Sequence, residues 1–520
     1  MDKRKSIINV IVALIFKVVI LIVSIIARRV IINTIGNELN GLNSLYSSIF
    51  SLLSLVELGM SVAVSFSLIK PIVDNDYYKI NAYYHYFKKI YNKVSILSIV
   101  LGASLIIFLP ILAKDYSLDI NIYMPYILFL ISNSLRYVYL ANTTLINAFK
   151  NNYLSTIIVS SCLLLIDIMQ IISILIFKNY YLYAFSSIVG TLIEWLILHL
   201  VVWKKYRRCV VIKNAKLTTF ELESTKKQIK GVFMHKIGSV LVNATDSVII
   251  SAFVGVSILG VYSNYATIAL GLASLLNLFF TSVVSNVSHG FYKLNKDSFK
   301  RYFYFFHGLN FGIGMIMYLG FYAIINQLVS LFFGSDLLID SLTVMIITVN
   351  YFIQYLRQSV LAFKDASGIF YVDRVKPIVE GLLNLVLSIT FVLLLRGTGY
   401  EIIGVISSTI ITNIFICHII EPYILFKYSF KCSSKGYFIK NYAYILIFIV
   451  TLVLFNFITN FRLDNLFFDL LAKGFISVIL SSIISFIVLM LNDEFKYGVI
   501  SIYKMIKEYF LGYKKGSKKI

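Results

Sequence analysis

Six basic side chains fall inside long apolar stretches of the sequence, and their chemistry suits an anion. They are Lys17, Arg28, Arg29, Arg136, Lys236 and Arg357. A charge at the centre of a bilayer costs about 2.5–3.5 kcal/mol on insertion scales, so an ionisable residue there indicates a functional site. Guanidinium groups hold phosphate through two parallel hydrogen bonds, and several basic groups that face one cavity would bind an anionic ligand. The alternative is that each long side chain reaches the membrane surface.

The first apolar segment carries two of these bases in one register. Ser24 follows Lys17 by 7 residues and Arg28 follows it by 11. At about 100° per residue in an α-helix, both steps return to nearly the same face. The spacing therefore predicts one polar stripe on an otherwise apolar helix.

Acidic side chains form a second set within the apolar segments. We expect Asp246 and Glu57 to pair with the bases or to carry a coupling cation, Na⁺ or H⁺. The alternative is a set of structural ion pairs between helices, in which an acid such as Asp167 or Glu380 neutralises Arg136 or Arg357. The histidines and cysteines have no metal-site spacing and no phosphate-binding loop motif is present, so we expect no metal, no cofactor and no catalytic residue.

Composition identifies the elements that must position these residues. Of 520 residues, 59% are hydrophobic and 14% are charged, whereas soluble domains are about one quarter charged. Because a helix needs about 20 apolar residues to cross a bilayer, the sequence predicts an all-α polytopic membrane protein with about fourteen transmembrane helices. The predicted spans are 6–31, 43–68, 94–113, 123–147, 154–177, 181–203, 232–253, 258–287, 303–326, 337–362, 376–396, 400–426, 441–459 and 468–491.

The distribution of Lys and Arg predicts the orientation of these helices. With the N-terminus inside, 36 of the 47 Lys and Arg residues fall in inside segments and five in outside loops. Basic residues collect on the cytoplasmic side of membrane proteins, so both termini are predicted to be cytoplasmic. The same rule explains the net charge of +22 without nucleic acid. No outside loop is long enough for a catalytic domain, and we therefore predict that the protein is not an enzyme.

An internal repeat predicts two related halves. Gly36, Gly41 and Tyr46 match Gly255, Gly260 and Tyr265 at an offset of 219, and Lys17 falls on Lys236. Arg136 matches Arg357 at an offset of 221. Both offsets correspond to six helices, which predicts two pseudo-symmetric six-helix lobes, 1–215 and 216–430, with a binding site between them. Residues 431–520 would add two helices and a basic cytoplasmic tail.

Two runs carry a resemblance to a known family. GNELNGLNSLYSSIFSLLSLVELGMSVAVSFSLIKPI (36–72) resembles the helix 1–2 region of Wzx-type polysaccharide flippases, which are oligosaccharide transporters of the multidrug/oligosaccharidyl-lipid/polysaccharide exporter superfamily. DSVIISAFVGVSILGVYSNYATIALG (246–271) resembles the helix 7–8 region of the same family. The resemblance implies two six-helix lobes around a central cavity and two peripheral helices.

The resemblance also implies a function. Such a protein moves an undecaprenyl-pyrophosphate-linked oligosaccharide across the bacterial cytoplasmic membrane by alternating access, for capsule or other surface polysaccharide synthesis. By position, the pyrophosphate would be held by Lys17, Arg28, Arg136, Lys236 and Arg357. The polymerase and glycosyltransferases of the same pathway would be partners.

Two other functions remain open at this stage. One is a cation-coupled multidrug exporter of the same superfamily, which should favour acids over bases in its cavity. The other is a membrane polysaccharide polymerase or ligase, which usually has a large outside loop. Bases dominate the N-terminal spans and outside loops are short, so both alternatives are less favoured than the flippase.

Overall fold

The computed structural model describes residues 3–500 except 58–59, 224, 227–228, 230–243, 294–295, 368, 370–371 and 373–374. Within these ranges the chain forms helices and no strand, which confirms the prediction of an all-helical protein. The helices are α1 Lys3–Thr34, α2 Asn37–Leu53, α3 Met60–Val73, α4 Tyr77–Leu105, α5 Leu109–Leu112, α6 Tyr123–Ala148, α7 Asn152–Leu175, α8 Tyr180–Lys205, α9 Ala244–Val254, α10 Val256–Lys293, α11 Lys296–Phe333, α12 Ser341–Leu356, α13 Gln358–Ala366, α14 Lys376–Leu394, α15 Glu401–Phe430, α16 Lys435–Ile458 and α17 Leu466–Met490.

The described part of the chain has ten helices that are long and apolar enough to cross a membrane. They correspond to ten of the predicted spans, and the chain is therefore a multi-pass membrane protein. The other four predicted spans are 43–68, 123–147, 232–253 and 337–362. The second of these is the unbroken but more polar α6, and most of the third lies outside the described residues. The total of fourteen, the orientation of the termini and the kind of membrane stay predictions.

Two predicted spans are interrupted in the structure. Span 43–68 divides into α2 and α3 at a 3₁₀ turn over Ser54–Val56, where the Glu57 N–H donates to the Ser54 carbonyl at 3.1 Å. This i→i−3 bond replaces the regular α-helical bond, as is common at helix ends. Span 337–362 divides into α12 and α13 at Arg357.

Helix α4 begins 17 residues before the predicted span 94–113. Its N-cap is Asp76, whose carboxylate accepts the Lys79 N–H at 3.0 Å. A capping carboxylate satisfies one of the free N–H groups at the start of a helix. The predicted inside loop 69–93 is therefore mostly helical.

The chain divides into two compact units, and the first contains Met1–Leu278, Phe332–Ile339 and Arg374–Thr409. In this unit α4 packs on α6, α6 on α8, α8 on α7, and α7 on α1. Tyr84, Phe87, Tyr91, Leu145 and Leu198 are part of a buried cluster contributed by α4, α6 and α8. This packing buries one face of α6 against its neighbours.

The second unit contains Phe279–Leu331, Asp340–Asp373 and Ile410–Ile520. Aromatic side chains fill its interior: the rings of Phe352 and Phe448 stack with centroids 3.6 Å apart, and those of Phe311 and Tyr444 stack at 4.1 Å. These contacts join α16 to α11 and α12. The predicted lobes 1–215 and 216–430 stay a prediction.

A buried asparagine fixes the segment that follows α8. Asn81 on α4 is fully buried. Its amide nitrogen donates to the Arg208 carbonyl at 2.7 Å, and its amide oxygen accepts the Ile212 N–H at 2.8 Å. Because both amide groups of Asn81 are used, residues 208–212 are held against the start of α4.

Several residues of the sequence repeat have matching local structures. Gly36 and Gly255 precede α2 and α10 with φ values of 134° and 139°, in a region that favours glycine. The Tyr46 hydroxyl donates to the Ile122 carbonyl just before α6, and the Tyr265 hydroxyl accepts the Ile339 N–H just before α12. The repeat is therefore visible in backbone conformation and in tertiary contacts.

Candidate functional site

The predicted polar stripe of α1 faces α10. The Lys17 Nζ donates to the Ser274 carbonyl at 2.9 Å, and the Arg28 Nη1 donates to the Ser263 hydroxyl at 2.6 Å. Both bases are half-buried, whereas the adjacent Arg29 is exposed. Both contacts therefore agree with the prediction that Lys17 and Arg28 lie on one face of α1.

Neutral groups surround this stripe. Asn40 on α2 donates to the Gly260 carbonyl at 3.0 Å and to the Asn264 amide oxygen, also at 3.0 Å. Asn40 lies 3.4 Å from the Ser263 hydroxyl that accepts from Arg28. Among the described residues, no carboxylate lies within 4.0 Å of the Lys17 or Arg28 side-chain nitrogens, so both positive charges have neutral partners.

Arg136 lies in the middle of α6, where α6 packs on α8. Among the described residues, neither its buried Nε nor the buried Oε2 of Glu194 on α8 has a hydrogen-bond partner. The two side chains are close enough to interact electrostatically. Arg136 therefore has a nearby acid, but in the described residues the two are not joined by a hydrogen-bonded ion pair.

Arg357 is held differently, at the break between α12 and α13. Its Nε and Nη2 each donate to one carboxylate oxygen of Glu421 at 2.6 Å. Its Nη1 donates to the Asn413 amide oxygen at 3.2 Å. The alternative that an acid neutralises Arg357 agrees with this geometry, but the partner is Glu421 and not Asp167 or Glu380. The carboxylate of Glu380 instead lies 2.7 Å from the Lys376 nitrogen.

Three predicted site residues remain: Lys236, Glu57 and Asp246. Lys236 lies outside the described residues. Glu57 is buried at the end of the 3₁₀ turn, where it interacts electrostatically with Tyr91 and Tyr137. The structure thus places Glu57 among the helices of the first unit, near tyrosines.

Asp246 belongs to a polar cluster formed by α9, α14 and α15. One carboxylate oxygen accepts from the Thr409 hydroxyl at 3.2 Å, and the other, Oδ1, is buried without a hydrogen-bond donor among the described residues. Asn384 donates to the same Thr409 hydroxyl at 2.9 Å, and its own Oδ1 is also buried without a donor in this part of the chain. The cluster therefore presents two buried acceptor oxygens. The sequence identified Asp246 but gave no signal that joined it to Thr409.

Groups of three or more His, Cys, Asp or Glu side chains placed to hold a metal ion do not occur among the described residues. No family model matches the sequence, and no curated protein matches it either. The arrangement offers a set of bases on the helices and a polar cluster around Asp246.

Solved structures share this fold. The lipid II flippase MurJ in an inward closed conformation has a TM-score of 0.64 at 17% identity, and the match covers 92% of this chain and 100% of that one. A MATE family multidrug resistance transporter in an inward-facing conformation has a TM-score of 0.59 at 13% identity, over 78% of this chain and 96% of that one.

A third structure is a MOP superfamily transporter from Pyrococcus furiosus, for which the reverse polarity of the binding pocket suggests a different function. It has a TM-score of 0.54 at 14% identity, over 83% of this chain and 97% of that one. Together these likenesses show that the chain has the fold of MOP superfamily transporters.

Proposed function

We propose that the protein is a flippase that moves an undecaprenyl-pyrophosphate-linked oligosaccharide from the inner to the outer leaflet of the bacterial cytoplasmic membrane. It would work by alternating access in the synthesis of a capsule or another surface polysaccharide. The fold, which a lipid II flippase shares over 92% of this chain, supports transport of a lipid-linked cargo. The charge of the membrane-embedded side chains supports an anionic head group.

The observation that carries the proposal is the set of bases without a bonded acid in the first unit. Lys17 and Arg28 donate to neutral oxygens, and the Arg136 Nε has no hydrogen-bond partner in the described residues. Keeping such a charge within a bilayer costs about 2.5–3.5 kcal/mol. An anionic cargo would neutralise these groups. The pyrophosphate is the constant part of a lipid-linked substrate, so these residues would bind cargo without reading its sugars.

The polar cluster around Asp246 supports cation coupling. Oxygen atoms are the ligands that hard cations prefer, and the free acceptor oxygens of Asp246 and Asn384 could bind Na⁺. The Asp246 carboxylate could equally carry a proton. We propose Asp246 as the coupling acid. We propose the buried Glu57 as a second coupling acid.

A transport assay with matched arginine variants tests the proposal. The full chain is reconstituted in vesicles with a fluorescent lipid-linked oligosaccharide, and arrival in the opposite leaflet is followed with a sugar-binding protein. Replacing Arg28 by Ala should slow transport about tenfold or more, because charge-assisted hydrogen bonds contribute about 1.5–3 kcal/mol. Arg29→Ala is the control, since that side chain is exposed. Equal rates for both variants would contradict the proposal.

A cellular experiment tests the pathway. Deleting the gene should cause a lipid-linked repeat unit to accumulate on the cytoplasmic side, and its sugars identify the cargo. The polymerase and glycosyltransferases of that pathway are the proposed partner proteins. Accumulation of an unrelated drug instead would favour the second candidate.

That second candidate is a cation-coupled multidrug exporter. The similarity to a MATE transporter favours it, and so does the buried, incompletely bonded carboxylate of Asp246. Organic cations would need acids in the cargo path, so this function predicts drug efflux that is lost with Asp246→Asn and retained with Arg28→Ala. If the protein is a flippase, Arg28→Ala should instead impair transport.

A further inference from the structure

Two arginine–glutamate pairs occupy corresponding helices of the sequence repeat. Arg136 and Arg357 match at an offset of 221 residues. Glu194 lies on α8, the second helix after the one that carries Arg136. Glu421 lies on α15, the second long helix after the α12–α13 segment that carries Arg357. Each unit thus contains one arginine of the repeat-related pair, with a glutamate near it.

The pair in the second unit is closed. Both carboxylate oxygens of Glu421 accept from Arg357 at 2.6 Å, and Glu421 is 1% exposed. Lys364 approaches the same carboxylate at 3.9 Å. A guanidinium edge that donates two parallel bonds to a carboxylate has no donors left for a second bidentate partner. An anion can be gripped by this edge of Arg357 only if it displaces Glu421.

The pair in the first unit is open. The Arg136 Nε and the Glu194 Oε2 are both buried without hydrogen-bond partners in the described residues, and the Tyr139 hydroxyl lies close to the Glu194 carboxylate. The ionisable groups that face Glu194 are Arg136 and Tyr139 from α6 and Cys162 from α7. Glu194 is therefore placed to neutralise Arg136 without occupying its donors.

We propose that Glu194 and Glu421 are internal counter-ions of the two arginines when no cargo is bound. The cargo's phosphate displaces Glu421 from the donors of Arg357 and replaces Glu194 as the neutralising charge beside Arg136. This inference rests on the proposed function. Carboxylate and phosphate both accept the two parallel N–H groups of a guanidinium, so at Arg357 one anion replaces the other on the same donors. The returning carboxylate then favours release of the cargo. Glu194 and Glu421 act through the arginines and are positioning residues.

A binding experiment with the full chain in lipid nanodiscs tests this exchange, with farnesyl pyrophosphate as the probe. If a binding site can accept its ligand for only a fraction of the time, the apparent affinity equals the intrinsic affinity multiplied by that fraction. If Arg357 is free about one tenth of the time, Glu421→Gln should tighten binding about tenfold. Glu401→Gln is the matched control, because that acid lies on the same helix and accepts from the exposed Gly397 N–H.

The tighter probe binding expected of Glu421→Gln must depend on Arg357, the arginine that this change releases. The double variant Glu421→Gln, Arg357→Ala should lose the tightening, which distinguishes counter-ion exchange from a general change in packing. In the first unit, Glu194→Gln should give a smaller gain, because the pair there is already open. Asp167→Asn, on the neighbouring α7, is the control for that variant.

The outcomes separate this inference from the proposed function. If Arg136→Ala and Arg357→Ala weaken probe binding while both Gln variants leave it unchanged or weaker, the counter-ion idea is overturned and the flippase proposal stands. If the probe does not bind, or binds independently of both arginines, the proposed function fails first. Should Glu421→Gln not fold, Glu421→Asp, which shortens the carboxylate by one methylene, should still tighten binding. Unchanged or weaker binding by a folded Asp variant would then contradict the inference.

Discussion

Gly41 and Gly260 face each other where α2 packs against the start of α10. A Cβ at Gly41 would overlap the Val256 carbonyl oxygen and lie 2.9 Å from the Gly260 nitrogen. A Cβ at Gly260 would lie 2.5 Å from the Asn37 carbonyl oxygen. The two glycines that match in the sequence repeat therefore meet in space and let two helix backbones approach closely.

This contact predicts that Gly41→Ala destabilises the protein. The obstructing atoms belong to the backbone and cannot rotate away, so the helices must separate, at a cost of about 1–3 kcal/mol for overpacking. A thermal melt of the detergent-purified protein measures the effect. Gly320→Ala on α11 is the control, because its nearest neighbour would be the Ser477 hydroxyl at 3.8 Å. Equal melting temperatures for the two variants would contradict the close approach.

The two repeat-related arginines should respond differently to replacement by alanine. Arg357→Ala leaves the buried Glu421 without its bidentate partner, and stranding one member of a buried pair costs about 3–5 kcal/mol. The amount of folded protein, measured by size-exclusion chromatography, should fall and should recover when Glu421 is also changed to Gln. Arg136→Ala should leave folded protein nearly unchanged while transport falls. A similar loss of folded protein in both variants would show that Arg136 is also a structural ion-pair member.

The Asp246 cluster predicts a sodium-dependent stability. A ligand that binds only the folded state stabilises it by about 2.7 kcal/mol at 100 times its dissociation constant. The melting temperature in NaCl should exceed that in KCl at equal ionic strength, and Asp246→Asn should remove the difference. Asp167→Asn serves as the control acid. If the two salts act alike on the wild type while a pH gradient drives transport, the coupling ion is a proton.

Cysteine labelling tests the predicted orientation, and the structure selects the sites. A cysteine at the exposed Asp336 should react with an impermeant maleimide in intact cells, whereas one at the exposed Lys213 should react only after permeabilisation. Ile80 and Ala215, also predicted inside, are buried and unsuitable. Burial raises the pKa of the native Cys209 thiol to about 11, so little reactive thiolate is present at neutral pH. Labelling of position 213 in intact cells would overturn the topology.

The contacts of Asn81 predict a protease-sensitive variant. Replacing Asn81 by Ala removes its hydrogen bonds to the Arg208 carbonyl and the Ile212 N–H, and each such bond contributes about 0.5–1.5 kcal/mol. The segment 208–212 should then detach more often. Trypsin should cleave near Lys213 faster in the purified variant than in the wild type. Asn121→Ala, whose side chain caps the exposed start of α6, should leave this cleavage unchanged.

The boundaries of α7 and α8 could be predicted from the sequence within about two residues. The spans 154–177 and 181–203 correspond to α7 and α8. These boundaries are local features: Asn179, for example, lies just before α8 and accepts the Tyr181 and Leu182 N–H groups. Apolar run length and a capping side chain are both visible in a short window of sequence.

The partners of the charged residues could not be predicted in the same way. Arg357 and Glu421 are separated by 64 residues. The acid that Arg357 contacts depends on how α12, α13 and α15 are each rotated about their own axes. The break at Arg357 has the same origin, since no proline or glycine marks it in the sequence. The register of Lys17 and Arg28 could be foreseen because both lie on one helix.

The position of Arg136 also bears on how the chain is made. Helix α6 packs on α4 and α8, yet it is not among the described helices apolar enough to cross a membrane by themselves. Glu194, the acid near Arg136, is synthesised 58 residues later, which is roughly 3–12 s at typical translation rates. During that interval the nascent α6 lacks its later neighbour. We therefore expect α8 to complete the membrane integration of α6, a helix that left the ribosome before it.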